Sequence, residues 1–337
     1  MKILAIESSC DETSVALLNN NEVLNNVIYT QEIHTKYGGV VPELASRAHI
    51  DKISLLTKEC LDLSKTSMCD IDAIAVTCEP GLMGALIVGA SFAKGLSIKY
   101  DIPIIPINHI EGHIYSGCID DPTLEFPFIS LVVSGGHTSL FLVESYSEYS
   151  TIGMTKDDAA GEAFDKIAKL IGLSYPGGPQ IDKYAKTGNP VKYDFPRSMI
   201  NSDNFDFSFS GLKTSVRYFI QKNFEMPLKE SEIPDLCASV QQAIIDVLRV
   251  KTFKAAQKYE IKSIVIGGGV SANSLLRSEF QNESKNGFKI VLPEMEYCID
   301  NAAMIGFLAS KKLQSNEELN NYYNLEFRVS SRPSRAK

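Results

Sequence analysis

No uncharged apolar run of the roughly 18 residues needed to span a bilayer occurs in this 337-residue chain. The richest stretch, 71–98, is broken by Glu79, Pro80 and Lys94, so a membrane helix is excluded. The opening MKILAIESS reaches Glu7 after four apolar residues, short of a secretory signal core, and reads as a first strand of a cytoplasmic protein. Cysteine is sparse: seven residues, odd in number and without a CxxC pair, which points to free thiols in a reducing compartment. Positive charge is in deficit, with 33 Lys and Arg against 41 Asp and Glu, a net charge of −8. Broad gripping of nucleic acid relies on phosphate neutralisation and is excluded; such a partner needs a local patch or a helper subunit. GxxxxGK[ST] and GxGxxG are both missing, which argues against a P-loop or a Rossmann cofactor site.

What is present is the composition of a folded globular protein, 44% apolar and 22% charged, with length enough for two domains. Two segments share one design. An apolar run from Lys2 enters the polar turn 7–13 and returns through 14–18; far downstream, 129–133 enters Ser134-Gly135-Gly136-His137-Thr138 and returns through 139–143. Hairpins alone are generic, but each half continues with alternating helices and strands. The first half has a helix 42–63 entered by proline, a strand 72–77 and a small-residue helix 82–99. The second has helices 161–171 and 232–260, then a strand 262–266 running into Gly267-Gly268-Gly269 and another helix. A doubled α/β unit of this kind is the plan of the actin-like two-domain nucleotide-binding fold, with an interdomain cleft. The expected division is 1–122 with 300–325 as the first domain and 123–299 as the second. Residues 326–337 then form a basic tail carrying Arg328, Arg332, Arg335 and Lys337.

Of five histidines, His109 and His113 lie four apart, so a helix presents both on one side, able to share an ion. A zinc peptidase wants HExxH, but here Glu111 follows His109 by two residues, about 200° around a helix, and faces away from the pair. Metal-independent pairing of the histidines remains open beside a metal site of another kind. A carboxylate is the natural third ligand, and Asp300, just ahead of an apolar helix, is the candidate; it is equally placed to cap that helix. Ser134-Gly135-Gly136 and Gly267-Gly268-Gly269 let backbone N–H groups approach an anion, the second at a helix start, although either serves as a plain turn. In DDAAGEAFDK (157–166) capping accounts for the first acids, whereas Asp165, a turn inside the helix, is solvated, paired or used. Tyr175 to Asp182, YPGGPQID, reads as a backbone turn followed by an acid that suits ribose hydroxyls, or as an ordinary loop.

Taken together these stretches resemble the tRNA N6-adenosine threonylcarbamoyltransferases, formerly called glycoproteases. The resemblance runs through IESSCDETSVALL (6–18), GGVVPELASRAH (39–49), EPGLMGALIVG (79–89), His109 with Gly112-His113, and VSGGHT (133–138). It continues through DDAAGEAFDK, YPGGPQID, DFSFSGLKT (206–214), GGGVSAN (267–273) and CIDNAAMI (298–305). It implies an actin-like fold and a cytoplasmic acyltransferase. The reaction it implies moves the threonylcarbamoyl group of threonylcarbamoyl-AMP to N6 of adenosine 37 in tRNAs reading codons that begin with A, releasing AMP. It also implies one divalent metal per subunit, iron(II) ahead of zinc, on residues matching His109, His113 and Asp300, with no catalytic group assigned beyond that site. The adenylate would lie against residues matching Val133, Ser134, Gly135, Gly136, His137, Thr138, Asp165, Gly178, Asp182 and Asn273. The bacterial branch implied by the VSGGH form works with a catalytically inactive paralogue and a small ATPase. Val132 stands where the other branch has a metal-binding tyrosine, so no tyrosine ligand is expected, and 331–335 departs from the Arg-Trp of many relatives. A sugar kinase or actin-like ATPase would share the fold without needing the histidine pair. A metallopeptidase would lack its base, and a scaffold paralogue would have lost the ligands.

Overall fold

The structure, a computed structural model, describes residues 1–121, 123–315 and 322–332. Arg335 and Lys337 of the expected basic tail lie outside the described residues. The chain divides into two compact units, Met1–Pro122 with Pro293–Lys337, and Thr123–Leu292.

The first unit opens with β1 (Lys2–Glu7), β2 (Glu12–Asn19) and β3 (Glu22–Thr30), antiparallel neighbours, with Asn20 taking the left-handed conformation (φ 55°) that the β2–β3 turn requires. α1 (Pro42–Leu63) starts on proline, whose missing N–H is one a first turn would leave unpaired. β4 (Ala73–Glu79) lies parallel to β1; α2 (Met83–Tyr100) crosses to β5 (Ile104–Asn108), parallel to β4, and α3 (His109–Tyr115) follows at once. The sheet order is β3-β2-β1-β4-β5. The middles of β1 (3–6) and β4 (73–76) are apolar on both faces because helices cover both, and Ile3, Leu4, Ile6, Ile74 and Val76 are fully buried, each contributing about 1.5–3 kcal/mol of transfer free energy.

The second unit repeats the plan. β6 (Phe128–Val133), β7 (Thr138–Val143) and β8 (Tyr149–Met154) form the antiparallel ribbon. α4 (Ala160–Ile171), α5 (Gly177–Ala185), α6 (Ser210–Asn223) and α7 (Ile233–Lys258) then lead to β9 (Ser263–Gly267), parallel to β6. α8 (Ser274–Asn282) and β10 (Lys289–Val291) complete a sheet ordered β10-β9-β6-β7-β8. The chain returns to the first unit through the short α9 (Met295–Cys298) and α10 (Ala302–Gln314). Two five-stranded mixed sheets with the same strand order are what the doubled α/β reading anticipated.

Local readings shift in four places. Residues 175–182 are not a loop: α5 begins at Gly177, and its first N–H is taken by Asp165 Oδ1 at 2.7 Å. The glycine run 267–269 does not open an α-helix; a 3-10 turn, Gly269–Ala272, intervenes, and α8 is capped by Asn273, whose Oδ1 accepts from Leu275 and Leu276. Asp157 and Asp158 do not cap α4. Thr138 Oγ1 accepts the Ala160 N–H at 2.9 Å, Asp157 accepts from Ser208, Phe209 and Ser210 at the start of α6, and Asp158 pairs with Lys166 and Lys213. Asp300 is not the cap of α10 either, since Asn301 takes that place through Met304 N. All seven cysteines are free thiols, and no helix among the described residues is long and apolar enough to cross a membrane.

Candidate metal centre and glycine loops

In open α/β sheets the loops beyond the carboxyl ends of parallel strands carry the chemistry. In the first unit these ends belong to β1, β4 and β5, and they place Glu7, Thr77 and His109 side by side. Asn108 starts α3 crisply: its Oδ1 accepts from Ile110 N (2.8 Å) and Glu111 N (3.2 Å), so His109 is the first helical residue and His113 sits one turn on. α3 packs against α10, closely enough that a Cβ on Gly112 would lie 3.1 Å from both Ile305 and Met304. That approach brings Asp300, at the foot of α10, against the two imidazoles.

The resulting triad is tight. Asp300 Oδ1 lies 3.0 Å from His113 Nε2 and 3.5 Å from His109 Nε2, and the ring centroids are 4.7 Å apart at 84°. One ligand atom from each residue falls within 4.8 Å of the others. His109 Nδ1 faces Glu7 Oε2 at 3.0 Å and Ser9 Oγ at 3.1 Å. Glu7 is fully buried and also accepts from Thr77 Oγ1 (2.6 Å) and Ser9 N (2.5 Å). Glu111 points elsewhere, to Lys312 Nζ at 2.8 Å, so it does not serve the histidine pair as a peptidase base.

The electrostatics favour a cation. Burial opposes a charge on His109, but the Asp300 and Glu7 carboxylates outweigh it, and its pKa is pushed up to about 9. Burial holds His113 below the ordinary imidazole value. Burial also works against ionising Glu7, and the bonds from His109 and Thr77 overcome it, leaving that carboxyl below its usual range. Burial, with Asp11 and Asp300 beside it, pushes Glu12 well above the carboxylate range. Carboxylates thus outnumber their partners around two imidazole nitrogens aimed at one oxygen, and His113 Nδ1 is buried without a hydrogen-bond partner among the described residues. Two imidazole nitrogens and a carboxylate oxygen converge in an acid-rich pocket that favours positive charge, and with His109 deprotonated they fit a divalent ion, imidazole and carboxylate being donors suited to iron or zinc.

The residues expected to hold an adenylate all lie in the second unit, and several of them are tied by hydrogen bonds to the starts of neighbouring helices. The β6–β7 turn closes through Ser134 N to His137 O (2.8 Å) and His137 N to Ser134 Oγ (3.2 Å). Ser134 O receives Gly161 N, and Thr138 holds the start of α4. From α4, Asp165 fixes the start of α5, where Gly178 lies. From α5, Asp182 Oδ1 accepts Ser274 Oγ (2.7 Å) and N (3.2 Å) at the start of α8, beside Asn273. Val133 pairs with Thr138 at the end of β6, next to Gly268. The acids therefore also serve as tie points between helix starts, a role the sequence left open. Gly268 is held at φ +90°, and an added Cβ would sit 2.5 Å from Val133 O. Gly268→Ala is expected to destabilise the protein by about 1–3 kcal/mol, read as a lower denaturant midpoint at unchanged slope.

Glu7, Ser9 and Thr77 escaped the sequence reading of the site. The available signal was an acid directly ending the apolar strand 3–6, where a carboxylate must be buried and so must be bonded.

The family model for tRNA N6-adenosine threonylcarbamoyltransferase matches residues 22–307. A curated protein of that name from Kosmotoga olearia is 50% identical over 314 residues, 93% of each chain. One from Clostridium perfringens strain SM101 is 51% identical over 310 residues, 91% of each. Among solved structures, full-length HypF in its phosphate- and nucleotide-bound form aligns with a TM-score of 0.63 at 14% identity, over 94% of this chain and 47% of that one. Component A of the (R)-2-hydroxyglutaryl-CoA dehydratase of Acidaminococcus fermentans aligns at 0.56 and 14%, over 93% and 99%. These likenesses establish the actin-like fold.

Proposed function

This chain belongs to the tRNA N6-adenosine threonylcarbamoyltransferase family, and we propose that it takes the threonylcarbamoyl group from threonylcarbamoyl-AMP. It is a tRNA-modifying transferase; the acceptor in this reading is N6 of adenosine 37 in tRNAs whose codons begin with A. The observation that carries the finer reading is the His109–His113–Asp300 triad, both histidines buried, with its surplus of carboxylates.

The donor is a mixed anhydride of a carbamic and a phosphoric acid. N6 attacks the carbonyl carbon, the bond from that carbon to the phosphate oxygen breaks, AMP leaves with the bonding pair, and N6 loses a proton. An activated donor needs orientation and charge stabilisation rather than a protein nucleophile. A divalent ion held by His109, His113 and Asp300, iron(II) ahead of zinc, would supply Lewis-acid polarisation of the threonylcarbamoyl oxygens. The N–H groups of Gly135, Gly136 and the 267–269 run suit the adenylate phosphate. Asp182, whose Oδ2 is 3.9 Å from Lys186 Nζ, suits a ribose hydroxyl. Val133, Ser134, His137, Thr138, Asp165, Gly178 and Asn273 complete that surface.

The net charge of −8 supports docking of tRNA with help from other subunits, in this reading an inactive paralogue and a small ATPase, in the cytoplasm. α2 offers a surface for the paralogue: Met83, Ile87 and Ile98 are exposed along one stripe, interleaved with the small residues Ser91 and Gly95.

The test is mass spectrometry of nucleosides from tRNA incubated with this chain, both partner proteins and threonylcarbamoyl-AMP. Threonylcarbamoyl-adenosine formed only with this chain present, one AMP released per modified base, is the expected result. Absence of product with every other component active refutes it.

A further inference from the structure

Glu7 touches neither the proposed ion nor the proposed donor, yet it is fully buried and accepts three hydrogen bonds at once. We propose that Glu7 is a positioning residue that fixes the tautomer of His109, presenting the Nε2 lone pair beside His113 and Asp300 to a divalent cation. The inference rests on the metal reading above and deepens it.

The geometry leaves one consistent proton arrangement for a cation-loaded site. Glu7 Oε1 accepts Ser9 N, and Oε2 accepts Thr77 Oγ1, both from hydrogen-bond donors. The carboxylate can therefore only accept from His109, so the imidazole proton resides on Nδ1, 3.0 Å from Oε2. Nε2 is then the lone-pair nitrogen, and it is the one directed at Asp300 Oδ1. Ser9 Oγ, 3.1 Å from the same Nδ1, shares that proton or stands by as a second acceptor. His113 differs: its Nδ1 has no partner among the described residues, and its ring is held by packing and by Asp300 Oδ1 at Nε2. Of the two imidazoles, only His109 has a carboxylate behind it, the arrangement that orients a ligating histidine and raises its basicity.

The carboxylate is held by the sheet rather than by a loop. Glu7 ends β1, its neighbour strand supplies Thr77, and the next strand leads directly into His109. Three parallel strand ends thus fix donor, acceptor and ligand, so the arrangement exists before any ion arrives.

Glu7→Gln is the informative change. With its amide oxygen toward Ser9 N, the NH2 group donates to His109 Nδ1 and drives the ring proton onto Nε2, the ligating nitrogen. Zn2+ affinity, measured by competition with a fluorescent chelator, is expected to weaken by about 10- to 100-fold while circular dichroism stays that of the parent. Glu7→Asp, which keeps the charge, should recover part of the loss. Nitrogen-15 spectra of the parent's histidines give a readout that needs no variant: Nδ1 protonated, with Nε2 alone shifting as Zn2+ is added. Parent-like Zn2+ affinity in a folded Glu7→Gln protein, or a zinc-induced shift at His109 Nδ1, overturns the proposal and leaves the metal centre standing. A parent protein that takes up no Zn2+ overturns both.

Discussion

His109→Ala is expected to abolish threonylcarbamoyl transfer while leaving the fold intact. Lewis-acid polarisation contributes several kcal/mol of transition-state stabilisation, so losing one of three ligands should lower turnover by about 10³-fold or more. His109 opens a seven-residue helix whose packing runs through Ile110, Ile114 and Tyr115, all buried, so the truncation removes a ligand and two polar contacts rather than the helix's hold on the core. Glu7 would lose its basic partner and lie buried beside Thr77, which makes a modest fall in thermal stability acceptable and a collapse unexpected. The checks are nucleoside mass spectrometry for turnover and circular dichroism for the fold. Full activity in this variant would remove the ion from the reaction.

Ile87→Glu should have the second largest effect, on assembly instead of chemistry. Ile87 lies on the exposed stripe of α2, one turn after Met83, and about half of it faces solvent. On the proposal that this stripe meets the paralogue, a carboxylate placed in it costs at least the 2 kcal/mol or so of a hot-spot residue, which is about 30-fold in affinity. The variant should remain folded and bind Zn2+ as the parent does. In the reconstituted mixture its modified tRNA should fall to the level given without the paralogue. Unchanged association by analytical ultracentrifugation would move the partner to another face.

The sequence revealed the fold well because its signals are local. Apolar runs ending in small polar turns gave both hairpins, proline gave the start of α1, and the repeat of strand and helix gave the doubled plan. What it hid depended on contacts between distant residues. His113 and Asp300 are 187 positions apart, and only the packing of α3 on α10 joins them. From local pattern alone Asp300 served equally well as a cap, until Asn301 took that place. Residues 175–182 read as a turn because Gly-Gly-Pro discourages helix. A proline early in a helix forfeits no hydrogen bond, and Asp165 supplies the partner for the first N–H. Glu7 was hidden for the opposite reason: an acid after an apolar strand looks like the start of a polar turn, and its burial beside Thr77 appears only once β1, β4 and β5 are aligned.

The central claim is that a divalent ion on His109, His113 and Asp300 is required for transfer to N6. The most direct measurement is the nucleoside assay run with the purified chain stripped by chelator, then reloaded separately with Fe2+ or Zn2+ under anaerobic conditions. The account predicts no threonylcarbamoyl-adenosine from the stripped protein, and recovery on reloading for the parent but not for His109→Ala. Undiminished product from protein shown by elemental analysis to hold no transition metal would contradict it.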